Sequence, residues 1–436
     1  MRHRLTCAAV LPLCVLSSCH DTAGLETKGV VARPLFSITI GAEEQITTDP
    51  NRQDEPGIAG DYIMWVDDRH GRYDIYAFDL VSQTEMQVTA SNPNAQVGWM
   101  PPAISGDRIV WEDYRNGASD IYMFDLSEAH ERQITSDKSS QICTAISGDR
   151  IVWDDRRNGT GNSDIYMFDL AADTETQITV DPNNQHNPAV SDDRVVWLDS
   201  RYTSRRIFMY DFTDGTESEI PTDLSFDPGK PLCPALAISG TVIAWADYRS
   251  GNYDIYMFDL ATNTETQITD HPSNQRRPAV FGGRIVWDDD RDGGWNIYMF
   301  DLATQTEAQV TSNGVAYNPA IFSDRIVWAD WRSGSEDIYM VAFSTTLEPS
   351  IEVMVELVDQ LVAEGAIDNT GVAHAFLAHL EQAAAAIDRG NSTAAENKLN
   401  AFINFVNAQS GKHVQPDAAQ ELIELANRVI EQGLSP

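Results

Sequence analysis

The residues with the most evident capacity for chemistry come in pairs. An Asp-x-Arg doublet recurs as Asp67/Arg69, Asp113/Arg115, Asp155/Arg157, Asp199/Arg201, Asp247/Arg249, Asp289/Arg291 and Asp330/Arg332, each behind a tryptophan. An acid two residues from a guanidinium can hold a cation, an anion or its own neighbour. Present in every copy, the pair meets the requirement of a structural staple, because polar groups that become buried need partners. The tryptophans then read as core anchors. Recognition is expected where the repetition breaks.

It breaks most at Arg201-Tyr202-Thr203-Ser204-Arg205-Arg206, which replaces the Arg-x-Gly turn of the other copies. The Gln-Ile-Thr that closes each unit becomes Glu219-Ile220-Pro221 there, and a longer loop runs from Thr222 to Pro234. With Arg276 and Arg277 on the same face, Arg201, Tyr202, Arg205 and Arg206 form a basic, aromatic cluster suited to a carboxylate or an acidic sugar. The competing expectation is of solvated arginines paired with nearby acids, which contribute little. A second group lies in the loops that lead into the first strand of each unit: Gln53, Trp99, Gln141, Gln185, His186 and Gln275. Amides beside an exposed aromatic suit sugar hydroxyls or a peptide, though the recurring glutamine also fits a framework role.

Catalytic signatures are lacking. The sequence has neither a Gly-x-Ser-x-Gly elbow nor a His-Glu-x-x-His pair. The histidines of the repeats, His70, His130, His186 and His271, sit in non-equivalent loops, and only the last two are expected to share a neighbourhood. No cofactor is evident, although 66 acidic residues leave Ca2+ or another divalent cation open.

A repeat positions these residues. Its tryptophan returns at 65, 111, 153, 197, 245, 287 and 328, a period that signals stacked supersecondary units. Each copy parses into four short strands of the Pro-Ala-Ile-Ser, Arg-Ile-Val-Trp, Asp-Ile-Tyr-Met-Phe-Asp and Gln-Ile-Thr types, joined by Gly-Asp and Arg-x-Gly turns. In the third strand Ile121 and Met123 face one way, Tyr122 and Phe124 the other, so each sheet needs cover on both sides. Sheets stacked around an axis provide it, which predicts a seven-bladed β-propeller. Gln45–Thr47 precedes the first tryptophan and the last copy lacks its own Gln-Ile-Thr, so an N-terminal strand is expected to close the ring and protect its edges.

The run Ser147-Gly148-Asp149-Arg150-Ile151-Val152-Trp153, continuing through Asp155, Arg157 and Asp164-Ile165-Tyr166, resembles the WD-like repeat of TolB-type β-propellers. The likeness covers residues 36–346. TolB itself carries a further N-terminal α/β domain for which there is no room here, so the resemblance implies an exported or cell-surface propeller rather than a Tol-Pal component. After Leu347-Glu348-Pro349 the pattern changes to apolar residues three and four apart, with glycine after each of three segments; this predicts a four-helix module over 347–436. Within it Gly390 to Lys412 resembles the FIMAH-type module of secreted bacterial glycoside hydrolases and surface proteins, which implies an extracellular, carbohydrate-directed setting.

Residues 1–18 have a basic start and a short apolar run, the form of an export signal. Leu16-Ser17-Ser18-Cys19 resembles the bacterial lipobox, which implies a diacylated Cys19 and a tether over 19–35. Cys143 and Cys233 fall in non-adjacent copies and are expected as separate thiols. The formal net charge of −36 excludes phosphate-backbone binding, which depends on clustered Lys and Arg, and leaves the lipid as the only membrane contact. The sequence thus predicts an exported lipoprotein of the outer membrane, periplasm or cell surface. Its expected role is non-catalytic binding of an envelope protein or extracellular polysaccharide; a metal-dependent polysaccharide lyase and a structural surface component are the alternatives.

Overall fold

The structure is a computed structural model that describes residues 36–431, apart from 92–94, 96, 99, 160, 203–204, 223, 226–235 and 348–349. The export signal, Cys19, the tether, Trp99 and Cys233 therefore lie outside the described residues.

Seven antiparallel sheets follow one another along the chain, each begun by its innermost strand. Blade 1 runs through Gln53–Ala59, Tyr62–Asp67, Asp74–Asp79 and Thr84–Gln87. Later blades repeat this order, and each innermost strand touches the next around an axis, the last returning to the first. Because both faces of every sheet are apolar, the core is divided into seven clusters, one at each blade–blade interface. Tyr122 and Phe124 pack with Trp111 toward blade 1, while Ile121 and Met123 pack with Trp153 toward blade 3. All seven repeat tryptophans are at most 1% exposed. Each stacks on the aromatic residue opposite it in the third strand, as Trp245 does on Tyr256 at 6.2 Å between ring centres.

The Asp-x-Arg doublet is the staple of each blade. In blade 5 the fully buried Asp247 accepts from Trp245 Nε1 at 3.2 Å and from the Arg249 backbone N–H at 2.9 Å. Arg249 returns Nη2 to Asp247 at 2.8 Å, gives Nη1 to Glu265 of the fourth strand at 2.6 Å, and lies 4.0 Å over the Tyr256 ring. One residue pair thus ties the second, third and fourth strands together through charge-assisted hydrogen bonds.

The ring is closed as the sequence predicts. Phe36–Ile40 and Glu44–Gln45 both pair with the long last strand, Asp337–Leu347. Gln45 stands opposite Tyr339 as Gln133 stands opposite Tyr122, so the N-terminal segment occupies the register of a fourth strand. Glu43 completes the staple of blade 7 by taking Arg332 Nη1 at 2.5 Å.

The inner strands differ from expectation. In blades 1, 3, 4, 6 and 7 they begin well before Pro-Ala-Ile-Ser, at Gln53, Gln141, Gln185, Gln275 and Ala316, and pass through a bulge. A bulge interrupts the period-two pattern that sequence reading depends on, which is why this part of the strand was hidden.

Helices α1 (Ile351–Ala363), α2 (Thr370–Ile387), α3 (Ser392–Gln409) and α4 (Pro416–Glu431) make up the C-terminal segment. Three start on a side-chain cap, Ser350, Asn369 or Asn391, and α4 starts on Pro416. Their core is built from helical-segment residues, with Met354, Phe376, Leu380, Leu399, Phe402 and Leu422 fully buried.

Candidate ligand-binding face

Two kinds of position on one face of the ring vary from blade to blade while the staples beneath them do not. The first is the bulge. It places a non-glycine residue at positive φ in five blades: Glu55 (52°), Cys143 (54°), Asn187 (54°), Arg277 (51°) and Asn318 (54°). Each such residue costs on the order of 1 kcal/mol or more, and its recurrence in five blades makes the bulge part of the repeat. The bulges lie on the strands that circle the axis, and their side chains meet across blades. Cys143 Sγ reaches Asn187 Oδ1 at 3.3 Å, and Asn318 Nδ2 donates to Asp54 Oδ1 at 2.9 Å. Together they form a mixed belt of acid, thiol, amide and guanidinium around the channel.

The belt is electrostatically tuned. Burial pushes the Glu55 carboxyl up to about 7, with the Asp54 charge adding to the rise while Arg277 and Arg52 oppose it. Asp288 is pushed up to about 6, again by burial, although Arg277 Nη1 donates to it at 3.0 Å. Asp154 is raised to about 7 by burial against the opposing charge of Arg156. Glu112, Asp154 and Asp288 occupy the middle position of Trp-x-Asp, which is Val66, Leu198, Ala246 or Ala329 in the other blades. Each keeps one buried carboxylate oxygen without a hydrogen-bond partner.

The second variable position is the rim, formed by the turn between second and third strands. The residue after the staple aspartate is Tyr114, Tyr248 or Trp331 in blades 2, 5 and 7, and the residue before the third strand is Tyr73, Tyr253 or Trp295 in blades 1, 5 and 6. These rings are half-buried, except Trp331, which is 53% exposed.

The cluster predicted at the fourth blade separates into parts. Arg201 is a staple: it binds Asp199 at 2.7 Å and Glu217 at 2.8 Å and covers Phe208 at 4.0 Å. Arg206 begins the third strand, where Asp stands in five other blades, and its Nη1 donates to the Thr222 carbonyl at 3.0 Å. Glu219 at 3.8 Å stands where those blades carry Gln, so donor and acceptor have exchanged places across the pair. Tyr202 is half-exposed and stacks on Phe208. Burial lowers the Arg205 pKa, and that guanidinium helps hold His186 neutral: burial first, then the Arg205 charge, pushes the imidazole down to about 4.

Gln185 is fully buried and donates to the Asn183 carbonyl at 2.7 Å; Gln53, Gln141 and Gln275 do the same with the carbonyl two residues back. The amide nitrogens thus tie the loop at the mouth, while the Oε1 atoms of Gln53, Gln185 and Gln275 are buried without a hydrogen-bond partner. Arg277 is engaged by Asp288, whereas Arg276 lies 4.4 Å over Trp295. Glu55, Asn187, Asn318, Trp295 and Trp331 join the face without a signal in the repeat's own alternation. Glu55 and Asn187 vary between a recurring Gln and Pro, Asn318 lies between Ala316 and Pro319, and Trp295 and Trp331 vary inside the turn. Among the described residues no cluster of three metal-ligating side chains is found.

Residues 351–431 match the FIMAH domain family. No curated protein matches the chain in sequence. Among solved structures, the β-propeller domain of the trilobed protease from Pyrococcus furiosus, described as having an open velcro topology, is similar at a TM-score of 0.53 and 14% identity over 69% of this chain and 96% of that one. The Pyrococcus horikoshii acylaminoacyl peptidase is similar at 0.51 and 14% identity over 66% of this chain and 51% of its own, so this chain spans about half that protein's length. An oligogalacturonate lyase in complex with manganese gives 0.49 and 14% identity over 71% and 96%. At these identities the likeness is one of fold. The chain is a seven-bladed β-propeller, consistent with the TolB-like type, that carries a FIMAH domain at residues 351–431.

Proposed function

We propose that the chain is an exported, lipid-anchored binding protein whose propeller holds a polysaccharide at the mouth of its channel. The observation that carries this reading is the layering of variable residues on an invariant frame. Rings at Tyr114, Tyr248, Tyr253, Trp295 and Trp331 stand above a belt in which Glu55, Asn187, Arg277 and Asn318 offer both donors and acceptors. Aromatic faces pack on the C–H faces of sugar rings, and fixed polar groups take the hydroxyls; few convergent polar groups in an aromatic-lined concavity is the usual form of a small-ligand site. The FIMAH domain supports an extracellular setting, and Leu16-Ser17-Ser18-Cys19 supports a lipid anchor on Cys19.

A glycan array probed with the full chain tests this. Binding to a defined set of glycans, weakened by Trp331→Ala, is the expected result; a blank array together with specific capture of an envelope protein would favour a protein partner. One observation favours a catalytic alternative: a channel carboxyl brought to about 7 is suited to proton transfer near neutral pH. Release of new sugar ends from a bound polysaccharide, abolished by Glu55→Gln, would establish it.

A further inference from the structure

The rim aromatics are concentrated in blades 5, 6 and 7. Tyr248 and Tyr253 stand 5.1 Å apart. The Arg276 guanidinium lies 5.7 Å from the Tyr253 ring and 4.4 Å from that of Trp295. The Trp295 backbone bridges Val315, whose carbonyl accepts from the Trp331 N–H at 3.2 Å. Tyr248, Tyr253, Arg276 and Trp295 thus follow one another through ring and guanidinium contacts, and a backbone link extends the arc to the turn that carries Trp331.

Blade 6 is spelled to build this arc. It carries Gly293-Gly294-Trp295-Asn296 where blade 5 has Gly251-Asn252-Tyr253-Asp254. A Cβ on Gly294 would stand 2.4 Å from the Gly314 carbonyl oxygen, so only glycine lets the two loops touch. Gly314 N–H donates to Asn296 Oδ1 at 2.9 Å, and the Ala316 N–H donates to the Trp295 carbonyl at 2.9 Å. On the far side Asn313 binds Asp330 at 2.6 Å and accepts the Val315 N–H at 3.0 Å. The turns that carry Trp295 and Trp331 are therefore tied to each other through their backbones, which limits the ordering cost of binding.

The charges narrow the ligand. Arg277 is paired with Asp288, and Arg276, which stands opposite Asp288 across the strand pair and shares its charge, lies against the Tyr253 and Trp295 rings. Beneath them Glu55 and Asn318 add acceptors, and Asn318 Oδ1 is buried without a partner. A sugar hydroxyl is donor and acceptor at once and serves such a mixed lining, whereas a polyanion would meet Glu55, Asp54 and a chain of net charge −36. We propose that the arc Tyr248–Tyr253–Arg276–Trp295–Trp331 is a subsite for an uncharged polysaccharide chain, with the rings stacked on sugar faces and the Arg276 edge donating to hydroxyls. The inference deepens the polysaccharide reading above and rests on it.

The test uses the full chain with cellohexaose, xylohexaose, mannohexaose and hexagalacturonate, followed by calorimetry and tryptophan fluorescence. Seven of the ten tryptophans are core anchors, so the ligand-sensitive emission is expected from Trp295 and Trp331. The expected outcome is binding of at least one uncharged hexaose with a fluorescence change. Trp295→Ala and Trp331→Ala should each weaken it tenfold or more, and Glu128→Gln on the outer turn should leave it unaltered. Trp331 is half-exposed, so its truncation keeps the fold and the readout intact even if the Trp295 variant does not. Preference for hexagalacturonate, or uncharged binding that both tryptophan variants leave unmoved, overturns the subsite while the polysaccharide reading stands. No binding to any hexaose overturns the subsite, and a blank glycan array overturns the reading with it.

Discussion

Thr47 and Ile338 are 291 positions apart in sequence, yet the Ile338 backbone N–H donates to Thr47 Oγ1 at 2.8 Å. The same bond joins Thr135 to Ile121, Thr179 to Ile165 and Thr269 to Ile255 within single blades. In blade 7 alone it joins the two ends of the propeller, so it is one of the bonds that make an open array a ring. Thr47 is buried, and Thr47→Val leaves the Ile338 N–H without an acceptor at nearly constant volume. The expected loss is about 1–3 kcal/mol. Urea denaturation should show it as a lower midpoint with unchanged slope. An unchanged midpoint would mean the ring is held without this bond, by the pairing of Phe36–Ile40 and Glu44–Gln45 with the last strand and by Glu43.

The staples predict a larger effect. Asp247 is fully buried and receives the Trp245 indole, the Arg249 backbone and the Arg249 guanidinium. Asp247→Ala strands all three donors and should cost about 3–5 kcal/mol, the range for removing one partner from a buried charge pair. Thermal melting checks this. A loss below about 1 kcal/mol would demote the doublet to a surface pair.

Glu55 sets a pH dependence. Its folded value of about 7 lies above the ordinary 4.5, chiefly through burial, so the folded state holds the proton more tightly than the unfolded chain does. Its contribution to stability is therefore full below pH 4.5 and is lost as the pH rises from there to about 7. Glu55→Gln removes this term. The variant should match the parent near pH 4 and exceed it at neutral pH by up to about 3 kcal/mol, which melting curves across that interval would record. Equal stability at both ends would show that the carboxyl is solvated.

His186 gives the opposite slope. Burial and the Arg205 charge bring its folded value down to about 4, below the ordinary 6.5. The neutral ring is favoured by folding, so stability is present above 6.5 and falls as acid titrates the unfolded chain first. His186→Gln should flatten the stability profile between those two values. A profile as steep as the parent's would place the imidazole in solvent.

What the sequence disclosed was whatever the repeat states seven times. Trp245, Asp247, Arg249 and Tyr256 recur because every blade needs them, so their spacing reports the frame and the blade count directly. The candidate site was less legible for the same reason. Arg201 looked like a ligand contact because its neighbours depart from the pattern, yet the arginine itself is the blade-4 copy of the staple. Arg206 and Glu219 each depart singly, and only the pairing across strands shows that they compensate one another. Glu55 and Asn318 stayed hidden inside a bulge, where the alternation that marks a strand is interrupted. The arc from Tyr248 to Trp331 depends on which blades are neighbours at the mouth, a relationship that no single repeat contains.

Gly294 offers the sharpest test of that arc. Its missing side chain lets the blade-6 turn lie against Gly314, and a Cβ there would also come within 2.9 Å of the Gly314 Cα. Backbone atoms on both sides cannot yield as a flexible side chain would, so Gly294→Ala must part the loops. The expected cost is about 1–3 kcal/mol from overpacking. The more telling consequence is local. Trp295 and Trp331 lose the Val315 bridge between them, so acrylamide quenching of tryptophan emission should rise while the seven core indoles stay protected. Unaltered quenching and melting would show that the loops tolerate the methyl and that the platform does not depend on their contact.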